Sequence, residues 1–303
     1  MAVLKQIRNY PIKGLSGRDL DRVTLQMERG IPGDRQFAMT IKDEIDGSRW
    51  MSSRSYLINA VNDGLLQMPT VWSGSSITVM IPGGETLEMN TETGIGIDQF
   101  NQRLPELLSE TLPPSARPRL IERGTTMIPS AHWDYPDSQL SVMNMETLRV
   151  LSTALGETLE MDRFRGNLII DELPGWSEFG LAGWRYRLGD AEIEFGRPVR
   201  RCAATAVNPQ TGLRDVAVNT LLAENFGHGY FGMYARVVKA GAICCGDRLT
   251  RLGAAAWRPD QAMVEGASPY ALWPKLADIE GAHEQSDGLK LVLKPTNPWP
   301  LVD

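Results

Sequence analysis

Cysteine and histidine are scarce, with three of each in 303 residues, and two of the cysteines, Cys244 and Cys245, are neighbours. That set supplies neither a disulfide framework nor a CxxC metal spacing, so a cysteine with a chemical role must act alone. No apolar run approaches the roughly 18 residues needed to cross a bilayer, and Met1 to Tyr10 reads as a strand rather than a signal peptide. A cytoplasmic protein with no membrane partner is therefore expected. A basic excess is also missing: the net charge is −6, which argues against a general affinity for nucleic acid. Internal repeats and low-complexity tracts are absent too. What is present, 42% hydrophobic and 22% charged residues, is the balance of a globular protein long enough for one large or two ordinary domains.

The first hundred residues carry short alternating runs, Val3 to Tyr10, Val23 to Met27 and Gln36 to Ile41, broken by Gly, Pro and Asp turns, which predicts a small β-rich unit. Tyr10-Pro11-Ile12-Lys13-Gly14-Leu15 ends the first strand in a loop of little bulk, where a ligand can approach the backbone or a lysine can simply be solvated. Gly33-Asp34-Arg35 is a tight turn, and Met51-Ser52-Ser53-Arg54 is another polar loop. Short strands such as Ser76 to Ile81 are expected up to a connector at Leu112-Pro113-Pro114. Beyond it, Leu140 to Asn144 is a short apolar run ended by a possible N-cap. Met145 to Leu155 then has helical spacing, with Gly156 just past its end. In Met161-Asp162-Arg163-Phe164-Arg165-Gly166-Asn167 the alternate residues Arg163, Arg165 and Asn167 share a face if the segment is extended, and suit an oxyanion or an exposed edge equally.

Two more strands, Trp184 to Leu188 and Ala191 to Phe195, deliver the chain to Arg200-Arg201-Cys202. A thiol beside guanidinium groups ionises more easily, and the thiolate is the form that binds soft metals or attacks electrophiles. The residues alone leave both roles open. His228, in a glycine-rich segment, reads as a structural histidine. Cys244 and Cys245 alternate to opposite faces, so a metal shared between them is not expected.

In their order, Tyr10 to Gly14, Gly33-Asp34-Arg35, Arg163 to Asn167, Arg201-Cys202-Ala203-Ala204-Thr205 with Asn208-Pro209-Gln210-Thr211-Gly212, and Gly241 to Leu249 resemble the MOSC family with its N-terminal β-barrel companion. The resemblance spans residues 10 to about 250. It implies a mainly β (α+β) fold of two β-barrel-type domains, residues 1–115 and the MOSC domain at 116–253, with a cofactor cleft between them; the tail at 254–303, marked by a change in composition, lies outside the resemblance. It also implies a molybdenum cofactor with Cys202 as catalytic metal ligand. Lys13, Gly14, Arg35, Arg54, Arg163, Arg165, Asn167, Arg200 and Arg201 are the expected cofactor-binding residues, with Ser52 and Asn144 as lesser candidates. The activity implied is reduction of N-hydroxylated compounds by oxygen-atom transfer, or else a cofactor-carrying or sulfur-transfer role. No cysteine follows Cys245 to ligate an all-cysteine iron–sulfur cluster. Electrons are therefore expected from a separate ferredoxin-, flavodoxin- or cytochrome-like protein.

Overall fold

The computed structural model describes residues 2–62, 65–66, 68, 70–80, 85–124 and 139–257. Most of the 254–303 tail lies outside the described residues. The elements run β1 (Val3–Asn9), β2 (Arg18–Leu20), β3 (Arg22–Leu25), β4 (Phe37–Thr40), β5 (Thr70–Ser73), β6 (Ser76–Met80), β7 (Thr86–Asn90), α1 (Ile97–Leu107) and β8 (Arg119–Glu122). The second half adds β9 (Leu140–Asn144), α2 (Met145–Leu155), β10 (Leu168–Asp171), β11 (Trp184–Leu188), β12 (Ala191–Arg200), α3 (Val218–Phe226), β13 (Tyr230–Lys239), β14 (Gly241–Cys244) and β15 (Thr250–Ala254). The fold is mainly β with a few helices, as expected.

One eight-stranded sheet, in the order β15-β11-β12-β13-β9-β10-β1-β2, organises the molecule. It is antiparallel except where β9 and β10 run parallel, joined by the crossover through α2. Among the described residues no ladder joins β2 back to β15, so the sheet is open where a β-barrel was expected. An isolated bridge from Val3 to Arg248 brings its margins near each other. Strands β1 and β2 are built into this sheet beside strands from beyond residue 140, with Ile7 opposite Leu168. One apolar core accordingly gathers Leu4, Ile7 and Leu25 with Leu168, Ile193, Phe195 and Met233. A separate core packs β4 and β6–β8 against α1 through Phe37, Ile77, Met89, Phe100 and Leu104.

Strand β9 and helix α2 have the expected bounds, and the reason is local. The Asn144 side chain accepts the Glu146 amide at the helix N-terminus, and Gly156 closes the other end in the left-handed conformation. Helices α1 and α3 were not expected. Their apolar spacing, Phe100 and Leu104 in one and Val218, Leu222 and Phe226 in the other, is buried against the sheets. The interior Pro105 of α1 hides its helical pattern.

Candidate active site

Strand β12 runs five residues past its predicted end at Phe195 and places Cys202 just beyond its tip. The Cys202 side chain is exposed. Its carbonyl accepts the Thr205 amide at 3.1 Å and the Thr205 hydroxyl at 2.9 Å, which turns the chain into the 3-10 helix Ala203–Ala206. Arg200 is exposed. Arg201 is turned inward: it donates to the carbonyls of Phe231 and Phe164, the latter at 2.9 Å, and to Met143 Sδ. Its guanidinium lies over the Phe164 and Phe231 rings, themselves stacked at 3.9 Å. Arg201 thus holds the strand end that carries the thiol.

The 161–167 segment is not extended. Met161–Phe164 is a 3-10 helix and Arg165 is left-handed, with φ 51°, so the three expected donors diverge instead of sharing a face. Arg163 is buried and forks onto Asp215 at 2.6 and 2.7 Å, with its Nε on Glu160. Arg165 donates to the Leu15 carbonyl and lies over the Tyr10 ring. Asn167 is fully buried, accepting from the Ser141 amide and hydroxyl and donating to the Arg8 carbonyl at 3.1 Å.

Arg35 is left-handed as well, at φ 47°. Arg35 and Arg165 are two of the five described non-glycine residues with positive φ, and such a conformation costs about 1–2 kcal/mol in each. Both are cross-braced, since Arg35 donates to Asp34 and, at 3.0 Å, to the Arg165 carbonyl. Arg8, Arg35 and Arg165 all lie over the Tyr10 ring. Burial pushes the Tyr10 phenol up in pKa against the pull of these three cations. Burial likewise raises Asp34, against the opposing Arg35 charge.

The Lys13 loop is tied to this arrangement. Lys13 is buried, its amide bonds the Phe37 carbonyl at 2.8 Å, and its ammonium sits 5.9 Å from the Tyr56 ring centre. Gly14 has φ 92°, and a Cβ there would press on Leu65 and the Leu57 carbonyl, so glycine is required. The Gly14 carbonyl accepts from Asn59 Nδ2 at 2.9 Å. Asn59 in turn accepts, through its own carbonyl, from Arg214 at 3.0 Å, and Arg214 also reaches the Ala203 carbonyl at 2.8 Å. A continuous series of hydrogen bonds therefore links the Lys13 loop to the residue after Cys202. Sequence reasoning missed Asn59 and Arg214, because nothing local marks two residues about 150 positions apart as partners. Ser52 and Arg54 stand exposed at a separate 3-10 turn.

His228 accepts the Tyr230 amide through Nδ1 and packs edge-on against Trp176. Burial lowers its pKa to about 4, so it is neutral and structural. Among the described residues no group of three or more His, Cys, Asp or Glu side chains could hold a metal, and no helix is long and apolar enough to cross a membrane.

With this geometry in place, residues 129–250 match the family model described as the MOSC domain. The chain is 29% identical over 132 residues to the mitochondrial amidoxime reducing component 2 of Rattus norvegicus, covering 39% of this chain and 38% of that protein. It is also 29% identical over 134 residues to the molybdenum cofactor sulfurase 2 of Culex quinquefasciatus, covering 40% and 17% respectively. The chain thus spans about two fifths of the length of the first relative and under a fifth of the second. Among solved structures, YiiM from Geobacillus stearothermophilus aligns with a TM-score of 0.31 at 21% identity, over 38% of this chain and 55% of that one.

Proposed function

We propose that this chain is a molybdenum-cofactor-dependent reductase of N-hydroxylated compounds, with Cys202 as the protein's metal ligand and electrons supplied by a separate donor protein. The observation that carries the reading is the exposed Cys202 thiol of the MOSC domain, joined by hydrogen bonds to the Lys13–Gly14 loop. The donor set fits a soft metal borne by an anionic organic group. The thiol is the soft ligand and Lys13 and the arginines carry positive charge. Asn59 Oδ1 and the Tyr10 hydroxyl are buried without hydrogen-bond partners, which leaves polar atoms for a polar ligand to satisfy. When bound, the cofactor supplies the two-electron chemistry that cleaves an N–O bond. The chain's own part is to present Cys202 at a rigid strand end, to hold the cofactor through the Lys13, Arg35 and Arg165 loops, and to leave the thiol side open to substrate.

The likeness to a molybdenum cofactor sulfurase supports a second reading, a cofactor carrier or sulfur-transfer protein with a persulfide on Cys202. Elemental analysis of the purified protein, combined with benzamidoxime reduction using an artificial electron donor, separates the two. Reduction that disappears together with molybdenum in Cys202→Ala is expected. Tightly held molybdenum without any reduction selects the carrier reading, and a Cys202→Ala protein that keeps both metal and activity overturns the assignment.

A further inference from the structure

Arg214 was not among the expected site residues, yet it bonds the carbonyl of the residue that follows Cys202. One nitrogen of its guanidinium donates to the Ala203 carbonyl at 2.8 Å, and the other donates to the carbonyls of Asn59 and Ala60, each at 3.0 Å. The acceptors lie on two chain segments far apart in sequence, one directly after Cys202 and one packed on the Lys13–Gly14 loop. A planar fork meets both from two separate nitrogens, whereas an ammonium offers its three donors from a single point.

The base of the arginine is itself anchored. A bridge pairs Val207 with Arg214, the Asp215 amide bonds the Ala206 carbonyl at 3.1 Å, and the Asp215 carboxylate is held by Arg163 and, at 2.7 Å, by Asn208. The fork thus projects from a fixed turn. Arg214 is itself exposed, while its bond to the Asn59 carbonyl is partly buried.

We infer that Arg214 is a positioning residue, a latch that ties the Asn59–Ala60 loop to the Cys202 turn and so restricts how a bulky molecule approaches the exposed thiol. The inference rests on the Cys202 site proposed above, and its test needs no bound metal. Hydrogen exchange in the full-length chain is compared for wild type, Arg214→Ala and Arg214→Lys, with thermal unfolding as the check on folding. Both variants are expected to exchange about tenfold faster in the peptides covering 57–62 and 203–207 together, with the rest of the protein unchanged. Unchanged exchange at 57–62 in Arg214→Ala would sink the latch, as would full restoration by lysine. If Arg214→Ala proves unstable throughout, the intact fold of Arg214→Lys carries the same comparison. In a Cys244→Ser/Cys245→Ser background, alkylation of Cys202 by a bulky maleimide should accelerate relative to iodoacetamide when Arg214 is alanine. An unchanged ratio of the two rates counts against the latch, whether or not the protein reduces amidoximes.

Discussion

Arg163 keeps its guanidinium in a place where only 2% of the side chain meets solvent, and Asp215 and Glu160 compensate its charge there. Hydrogen bonding from Arg163 holds the Asp215 carboxyl down at about 2. The folded value lies below the unfolded one of about 3.9, so the bridge's stabilisation is complete above that pH and is lost as pH falls through about 2. Arg163→Gln should lower unfolding stability by about 2–3 kcal/mol at pH 7, after allowance for the partial exposure of Asp215. Arg54→Gln should stay within about 0.5 kcal/mol; urea denaturation of both measures the contrast. Glu178 titrates with the opposite sign. It is fully buried, and burial raises its pKa against the hydrogen bonds from Thr147 and Asn144. The unfolded chain ionises above about 4.3 while the folded carboxyl stays neutral, so this residue costs stability progressively as pH rises toward the folded value. Glu178→Gln should therefore gain stability relative to wild type on going from pH 4 to pH 8, as followed by thermal unfolding at each pH.

Helix α2 shows how much a cap residue can hold when it is buried. Asn144 accepts the Glu146 amide at 3.1 Å, and its Nδ2 donates to the Leu173 and Pro174 carbonyls and to Glu178. An ordinary cap is worth about 1 kcal/mol. Asn144→Ala should cost about 2–3 kcal/mol, because it also removes three further hydrogen bonds, although Thr147 still donates to Glu178 and the Ser177 amide still bonds the Pro174 carbonyl. Asn144→Asp, which keeps the cap acceptor but loses the donors, should remain destabilised in chemical denaturation. This helix was legible in sequence because its cap, apolar spacing and terminal glycine all agree. Helix α1 satisfies the same spacing at Ile97, Phe100 and Leu104, but its N-cap is a left-handed glycine without a side-chain bond and its interior holds Pro105. The Asn101 side chain compensates by exchanging hydrogen bonds with the Leu120 backbone, a long-range tie that no local rule supplies.

Across the molecule, Glu194 joins the last described segment to the sheet that carries Cys202. Its carboxylate accepts from Arg185 and Arg236 and from the Ala256 and Trp257 amides. Trp257 packs where Gly196 leaves no room for a Cβ, the ring lying 2.4 Å from that position. Burial acts to raise the Glu194 pKa, but these bonds hold it down at about 2. Its contribution is therefore present above about 4.3 and is lost as pH falls toward 2. Glu194→Ala should cost about 1–3 kcal/mol, since Arg185 and Arg236 lose their shared carboxylate but are exposed enough for water to take its place, and should release Trp257, read as a red-shifted tryptophan emission before global unfolding.

Strand β9, helix α2 and the turns at Gly14 and Gly33-Asp34-Arg35 could be read from residue order because each is declared by neighbours in the chain: an apolar run, a cap, a turn glycine. Three features followed only from packing distant segments together. The 161–167 face broke up because a 3-10 turn and a left-handed Arg165 let three donors find three different partners. Strands β1 and β2 joined a sheet whose other members begin at residue 140, since only that pairing buries Leu4 and Ile7 beside Leu168 and Ile193. The connection between Cys202 and the Lys13 loop runs through Asn59 and Arg214, whose side-chain donors and backbone acceptor acquire meaning only when the two segments meet.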